Sequence, residues 1–106
     1  MKTLNRAYLT VNPTEKFWNL VGPSIEDKDF IAFHEPTLYL IEEEIWDEEI
    51  IITKYMKKIT KNEISQVTDQ DIPSISIKNS DDFLGYFTVE LRGTVVDCLS
   101  APIEKL

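Results

Sequence analysis

Residues 26–49 hold ten acidic side chains and one lysine, a net charge of −9, while the whole 106-residue chain carries −8. The remainder is nearly neutral, with ten basic and nine acidic residues, so the acidity is one local feature. Its densest part, Glu42-Glu43-Glu44-Ile45-Trp46-Asp47-Glu48-Glu49, sets two carboxylate triplets around an Ile-Trp pair. Like charges packed this closely repel one another. On the sequence alone, folding offers no reason to gather them, whereas a complementary positive partner does.

This block lies in the hardest segment to assign, residues 37–59. As a helix it would align Leu38, Ile41, Ile45, Ile52, Tyr55 and Ile59, with Glu48 breaking the stripe, and glutamate is a good helix former. Twenty-three helical residues would span about 35 Å, long for a domain of this size. A β-hairpin is preferred: Leu38-Tyr39-Leu40-Ile41 and Ile50-Ile51-Ile52-Thr53 are rich in β-formers, and Trp46-Asp47-Glu48-Glu49 turns between them. Either arrangement keeps the glutamates together.

The flanking segments are more plainly punctuated. Asn12 is positioned as an N-cap, Pro13 suits a first helical position and Glu15 completes a capping box, so a helix is predicted over 13–21, ended by Gly22 and Pro23. It shows Phe17, Leu20 and Val21 to the core, with Trp18 beside them. Residues 6–11 alternate as a strand, and the apolar run at 29–34, bounded by charge and by Pro36, reads as a short strand. Thr60-Lys61-Asn62-Glu63 is a second capping-box pattern, predicting a short helix through Val67. Ser74-Ile75-Ser76-Ile77 and Phe87-Thr88-Val89-Glu90-Leu91 alternate as strands, followed by a further one over 94–99; Phe87, Val89, Leu91 and Val95 share the core-facing parity.

With 42% hydrophobic residues and eleven aromatics, the chain has the apolar content of a globular protein and the length of one domain, 1–106. The expected fold class is α+β: a mainly antiparallel sheet of about five to seven strands, with one or two short helices packed on it. The N-terminus lacks an apolar signal segment and no run is long enough to span a bilayer, so a cytoplasmic protein without membrane contact is expected. Cys98 has no second cysteine and sits among apolar residues, which predicts a buried thiol.

The usual carriers of chemistry are absent from the pattern. His34 is the only histidine, and neither Cys98 nor another imidazole stands at a metal-ligand spacing from it. The serines lack a glycine-flanked elbow, and Gly22, Gly85 and Gly93 are too isolated for a phosphate loop. Asp69-Gln70-Asp71 and Asp81-Asp82 lack a calcium loop's twelve-residue frame and suit turn capping better. Lys54, Lys57, Lys58 and Lys61 are read as a solvated face that partly balances the glutamates, since a chain at −8 is repelled from nucleic acid. No catalysis, cofactor, metal or direct nucleic-acid contact is therefore expected.

The acidic block remains. Glu42, Glu43, Glu44, Asp47, Glu48 and Glu49 would steer a basic partner and Trp46 would anchor it. In size, charge and lack of catalytic motifs the chain is analogous to bacterial immunity proteins as a class. The expectation is a small acidic inhibitor that neutralises a basic toxin or nuclease by filling a cleft made for phosphate. Two alternatives stand beside it. One is a nucleic-acid mimic of the anti-restriction or anti-CRISPR type, which would prefer carboxylates spread over a longer surface. The other is a small ligand-binding module with a pocket built from Trp18, Tyr39 and Tyr86. A monomer and a homodimer are equally compatible with the sequence.

Overall fold

Strand β2 (Arg6–Pro13) is the centre of a three-stranded antiparallel sheet, flanked by β3 (Thr37–Glu42) and β4 (Phe87–Arg92) in the order β3-β2-β4. The computed structural model of the chain describes residues 1–25, 31, 34–43, 47–99, 101, 102 and 104. The alternation of β2 decides which side is inside: Ala7, Leu9 and Val11 are fully buried. The register stacks their neighbours on the same face, with Ala7 opposite Ile41, Leu9 between Tyr39 and Leu91, and Val11 beside Val89. Leu38 and Leu40 point to the opposite face and stay 54% and 47% exposed. A second, two-stranded sheet pairs β1 (Lys2–Thr3) with β5 (Val96–Asp97), joined by the Leu4 amide donating to the Val95 carbonyl at 2.8 Å. The α+β class holds, but the antiparallel strands form two sheets instead of one.

Three α-helices cover the inner face among the described residues: α1 (Glu15–Val21), α2 (Glu48–Val67) and α3 (Ser80–Tyr86). Phe87, the first residue of β4, is the joint. Its ring lies 5.0 Å from Phe17 of α1 and 4.9 Å from Phe83 of α3, and all three rings are fully buried. Tilted aromatic contacts at this separation add to the apolar area removed from water.

The preferred hairpin over 37–59 is not formed. Its first arm is a strand, as expected, but Ile50-Ile51-Ile52-Thr53 belongs to α2, a twenty-residue helix. Length was the argument against it, yet the protein measures 43 × 29 × 19 Å, so a helix of about 30 Å fits within its longest dimension. Asp47 starts the helix instead of sitting in a turn: its Oδ1 accepts from the amides of Glu49 at 3.0 Å and Ile50 at 3.3 Å. The buried stripe then runs through Ile52, Met56, Ile59 and Glu63, with Ile51 beside it.

Other boundaries moved for related reasons. Thr60-Lys61-Asn62-Glu63 is the middle of α2 and not a new start. Helix α1 begins at Glu15 behind Thr14, because Asn12 and Pro13 are paired in β2 with Thr88 and Phe87. Ser74-Ile75-Ser76-Ile77 keeps its alternating burial without any strand ladder; the Ile75 amide closes a turn onto the Ile72 carbonyl at 3.0 Å. The strand over 94–99 is reduced to Val96–Asp97. Cys98 is exposed, contrary to expectation: it follows β5, which pairs with β1 in the small two-stranded sheet and not with the sheet that holds the core row of β2. The expected strand at 29–34 falls largely outside the described residues.

Three adjacent isoleucines distinguish helix from hairpin in solution. In a strand Ile50 and Ile52 would share one face; in α2 Ile51 and Ile52 are buried at 0% and 1% exposure, while Ile50 is 56% exposed. Urea denaturation should show Ile51→Ala and Ile52→Ala each losing about 2–5 kcal/mol, with Ile50→Ala within roughly 0.5 kcal/mol of the parent.

Candidate functional site

The acidic residues meet at the corner where β3 ends and α2 begins, and each described one has its own environment. Glu42, the last residue of β3, accepts from Lys54 Nζ at 2.8 Å and from the Tyr55 hydroxyl, both on α2. These two hydrogen bonds, led by the lysine's, hold its carboxyl at about 2. The same contact raises Lys54 above the ordinary ammonium value and Tyr55 above the ordinary phenol value. Glu43 follows, exposed, and Asp47 caps α2. Glu48 and Glu49 occupy the exposed first turn of the helix, where the partial positive charge of unpaired amides favours carboxylates. Glu44 and Trp46 lie outside the described residues.

Folding thus does supply reasons for part of the acidity, which corrects the opening inference from the sequence. A carboxylate at the strand end ties β3 to α2, one caps the helix, and two complement its dipole. Glu43, Glu48 and Glu49 nevertheless form no side-chain ion pair among the described residues. Apolar side chains border them: Leu40, at 47% exposure, lines a hollow of about 450 Å³ with Arg6, Glu42, Glu43 and Tyr55, and Ile50 is exposed beside Glu49.

The four lysines Lys54, Lys57, Lys58 and Lys61 fall at i, i+3, i+4 and i+7 on α2 and are all exposed. The solvated-face reading holds, and Lys54 balances one glutamate directly. The Trp18, Tyr39 and Tyr86 side chains serve different neighbourhoods. Trp18 stacks edge-on against Phe17 and His34 at 5.3 and 5.1 Å, and Tyr86 lies under Lys16 at 4.6 Å. Among the described residues, no group of three or more His, Cys, Asp or Glu is arranged to hold a metal ion.

A buried polar cluster escaped the sequence reading. Glu63, 2% exposed, accepts from the Tyr39 hydroxyl at 2.6 Å, and Tyr39 accepts in turn from Asn62 Nδ2 at 2.9 Å. Burial, reinforced by the bond to Glu63, pushes the Tyr39 phenol far above its ordinary value. The signal lay in Thr60-Lys61-Asn62-Glu63, whose polar residues were assigned to a helix start. Asn79 was not singled out from the sequence, whereas Asp82 was read with Asp81 as a capping carboxylate. The Asp82 amide donates to Asn79 Oδ1, and the Lys78 amide donates to Asp82 Oδ2, each at 2.9 Å, which starts α3 reciprocally.

The Glu42 contact carries a pH signature. Its folded-state value is depressed to about 2 from an ordinary 4.5, so the stabilisation is present above pH 4.5 and is lost as the pH falls from there towards 2. Chemical denaturation between pH 5 and 2 should therefore show a smaller loss of stability in Glu42→Gln than in the parent chain. Parallel pH profiles would mean that Glu42 is not tied to Lys54 and Tyr55 in solution.

No family model, no curated protein and no solved structure matches this chain, so the geometry of its own residues is what bears on function.

Proposed function

We propose that the protein is a non-catalytic, acidic inhibitor of the immunity type, which binds a basic toxin or nuclease through the β3–α2 corner. One observation carries this reading: exposed carboxylates at Glu43, Glu48 and Glu49, which form no ion pair among the described residues, lie beside the exposed apolar side chains of Leu40 and Ile50. Charge steers a partner and sets its orientation, while adjoining apolar groups supply contact that gains from losing water. In this reading Trp46 joins them as the anchor, and Glu42, Glu44 and Asp47 add to the field. Carboxylates projecting from such a corner suit a cleft whose cations otherwise hold phosphate.

A second reading has specific support. Because Asp47, Glu48 and Glu49 cap and complement α2, the acidity can serve helix formation and solubility alone. The two readings separate in a capture experiment from the source cells, run at low and high salt with the parent chain and with a Glu43→Gln, Glu48→Gln, Glu49→Gln variant. The inhibitor reading expects a basic protein retained by the parent, whose toxic or nucleolytic activity stops at equimolar addition, and whose association rate with the variant falls several-fold at low ionic strength. Trp46→Ala should leave the melting temperature nearly unchanged yet weaken that complex by about 2 kcal/mol or more. A captured partner that binds the triple variant at the parent's rate and salt dependence leaves helix capping and solubility as the whole account of the acidic corner.

A further inference from the structure

At the other end of α2 a groove of about 710 Å³ runs between the helix and the chain that returns along it. Lys57, Thr60, Lys61 and Ile64 form the helical wall; the chain turns at Asp69-Gln70-Asp71, and Ile72, Ile75 and Ile77 form the second wall. This volume is in the range of small-ligand sites.

The distribution of charge points to an occupant. Lys57 and Lys61, one turn apart, form no ion pair among the described residues, nor do Asp69 and Asp71 beyond the helix end. Seven residues separate Lys61 from Thr68, a distance of about 10 Å along the axis. The groove therefore has a cationic end, an apolar middle and an anionic end.

Simple ions fit this pattern poorly. An aliphatic carboxylate would satisfy the lysines and meet the aspartates with like charge; an aliphatic amine would do the reverse. A ligand with both charges about 10 Å apart and an apolar body between them complements every part, and three extended residues of peptide span that distance. We propose that the groove binds a free tripeptide-sized ligand, with its terminal carboxylate at Lys57 and Lys61, its terminal ammonium at Asp69 and Asp71, and an apolar central side chain over Ile64 and Ile75. This site is separate from the acidic corner, and neither reading depends on the other.

The test uses Ala-Leu-Ala with free termini, its N-acetylated form and its C-amidated form, each titrated into the full chain and followed by amide chemical shifts. The free peptide should move the signals of Thr60, Lys61, Ile64 and Ile75, and each blocked form should bind roughly tenfold more weakly because one charge pairing is lost. Lys57→Glu with Lys61→Glu should abolish binding of the free peptide, with unchanged circular dichroism. Equal binding of blocked and free peptides, or no localised shifts up to about 10 mM, a concentration at which even feeble complexes form, overturns the proposal.

Discussion

The inward row of β2 is what the rest of the molecule is arranged to cover. Ala7, Leu9 and Val11 are completely withdrawn from water in a strand hydrogen-bonded on both sides, so neither its register nor its facing can change without exposing the whole row. Both neighbours run antiparallel to it, which places Ile41 and Tyr39 on one flank and Val89 and Leu91 on the other. The helices then have one apolar surface to meet, and Phe87 joins two of them to it through Phe17 and Phe83. Burial of this kind is non-directional, but the strand's period of two and the helix's period of 3.6 convert it into a specific arrangement.

Helix α2 shows how the same residues serve stability and leave others available. Its buried stripe is apolar until Thr60 and Glu63, where a carboxylate enters the interior and accepts from Tyr39. A buried carboxylate is expensive unless its oxygens are satisfied, and one oxygen of Glu63 makes no bond among the described residues. The Tyr39–Glu63 contact therefore does more to fix where β3 meets α2 than to add net stability. The Glu42 contact with Lys54 and Tyr55 fixes the same two elements at the opposite end of the strand, partly in solvent, where ion pairs contribute little. Together the two contacts define the angle between strand and helix at two points.

Much of the fold was legible where alternation or punctuation was local. The strands at β2 and β4, the first arm of β3 and the end of α1 at Gly22 follow from period and terminators alone. The failure at α2 had a definite cause. Three consecutive β-branched residues, Ile50, Ile51 and Ile52, favour a strand by intrinsic preference, and tertiary burial of Ile51 and Ile52 outweighs that preference once Asp47 has capped the helix. A capping-box pattern also misled at Thr60-Lys61-Asn62-Glu63, since the pattern states only that a helix can begin there, not that one is not already under way. The acidic corner was found from charge density. The groove was invisible, because it depends on how the chain beyond Thr68 folds back against α2.

The helix also accounts for how opposite charges coexist in one small domain. Carboxylates collect at its first turn and lysines from its fourth residue before the midpoint onward, so the order in which they occur along the sequence becomes a separation along an axis of about 30 Å. The rise from Glu49 to Lys54 is about 7.5 Å and from Glu48 to Lys61 about 20 Å, so the nearer pairs lie about one Debye length apart at physiological ionic strength, about 8 Å, and the farther ones are largely screened. Attraction between the two groups is consequently weak except where β3 brings Glu42 back to Lys54. The acidic corner at one end and the groove at the other, lined by Lys57 and Lys61 and by Asp69 and Asp71, are therefore separate electrostatic environments, one of a single sign and one of both.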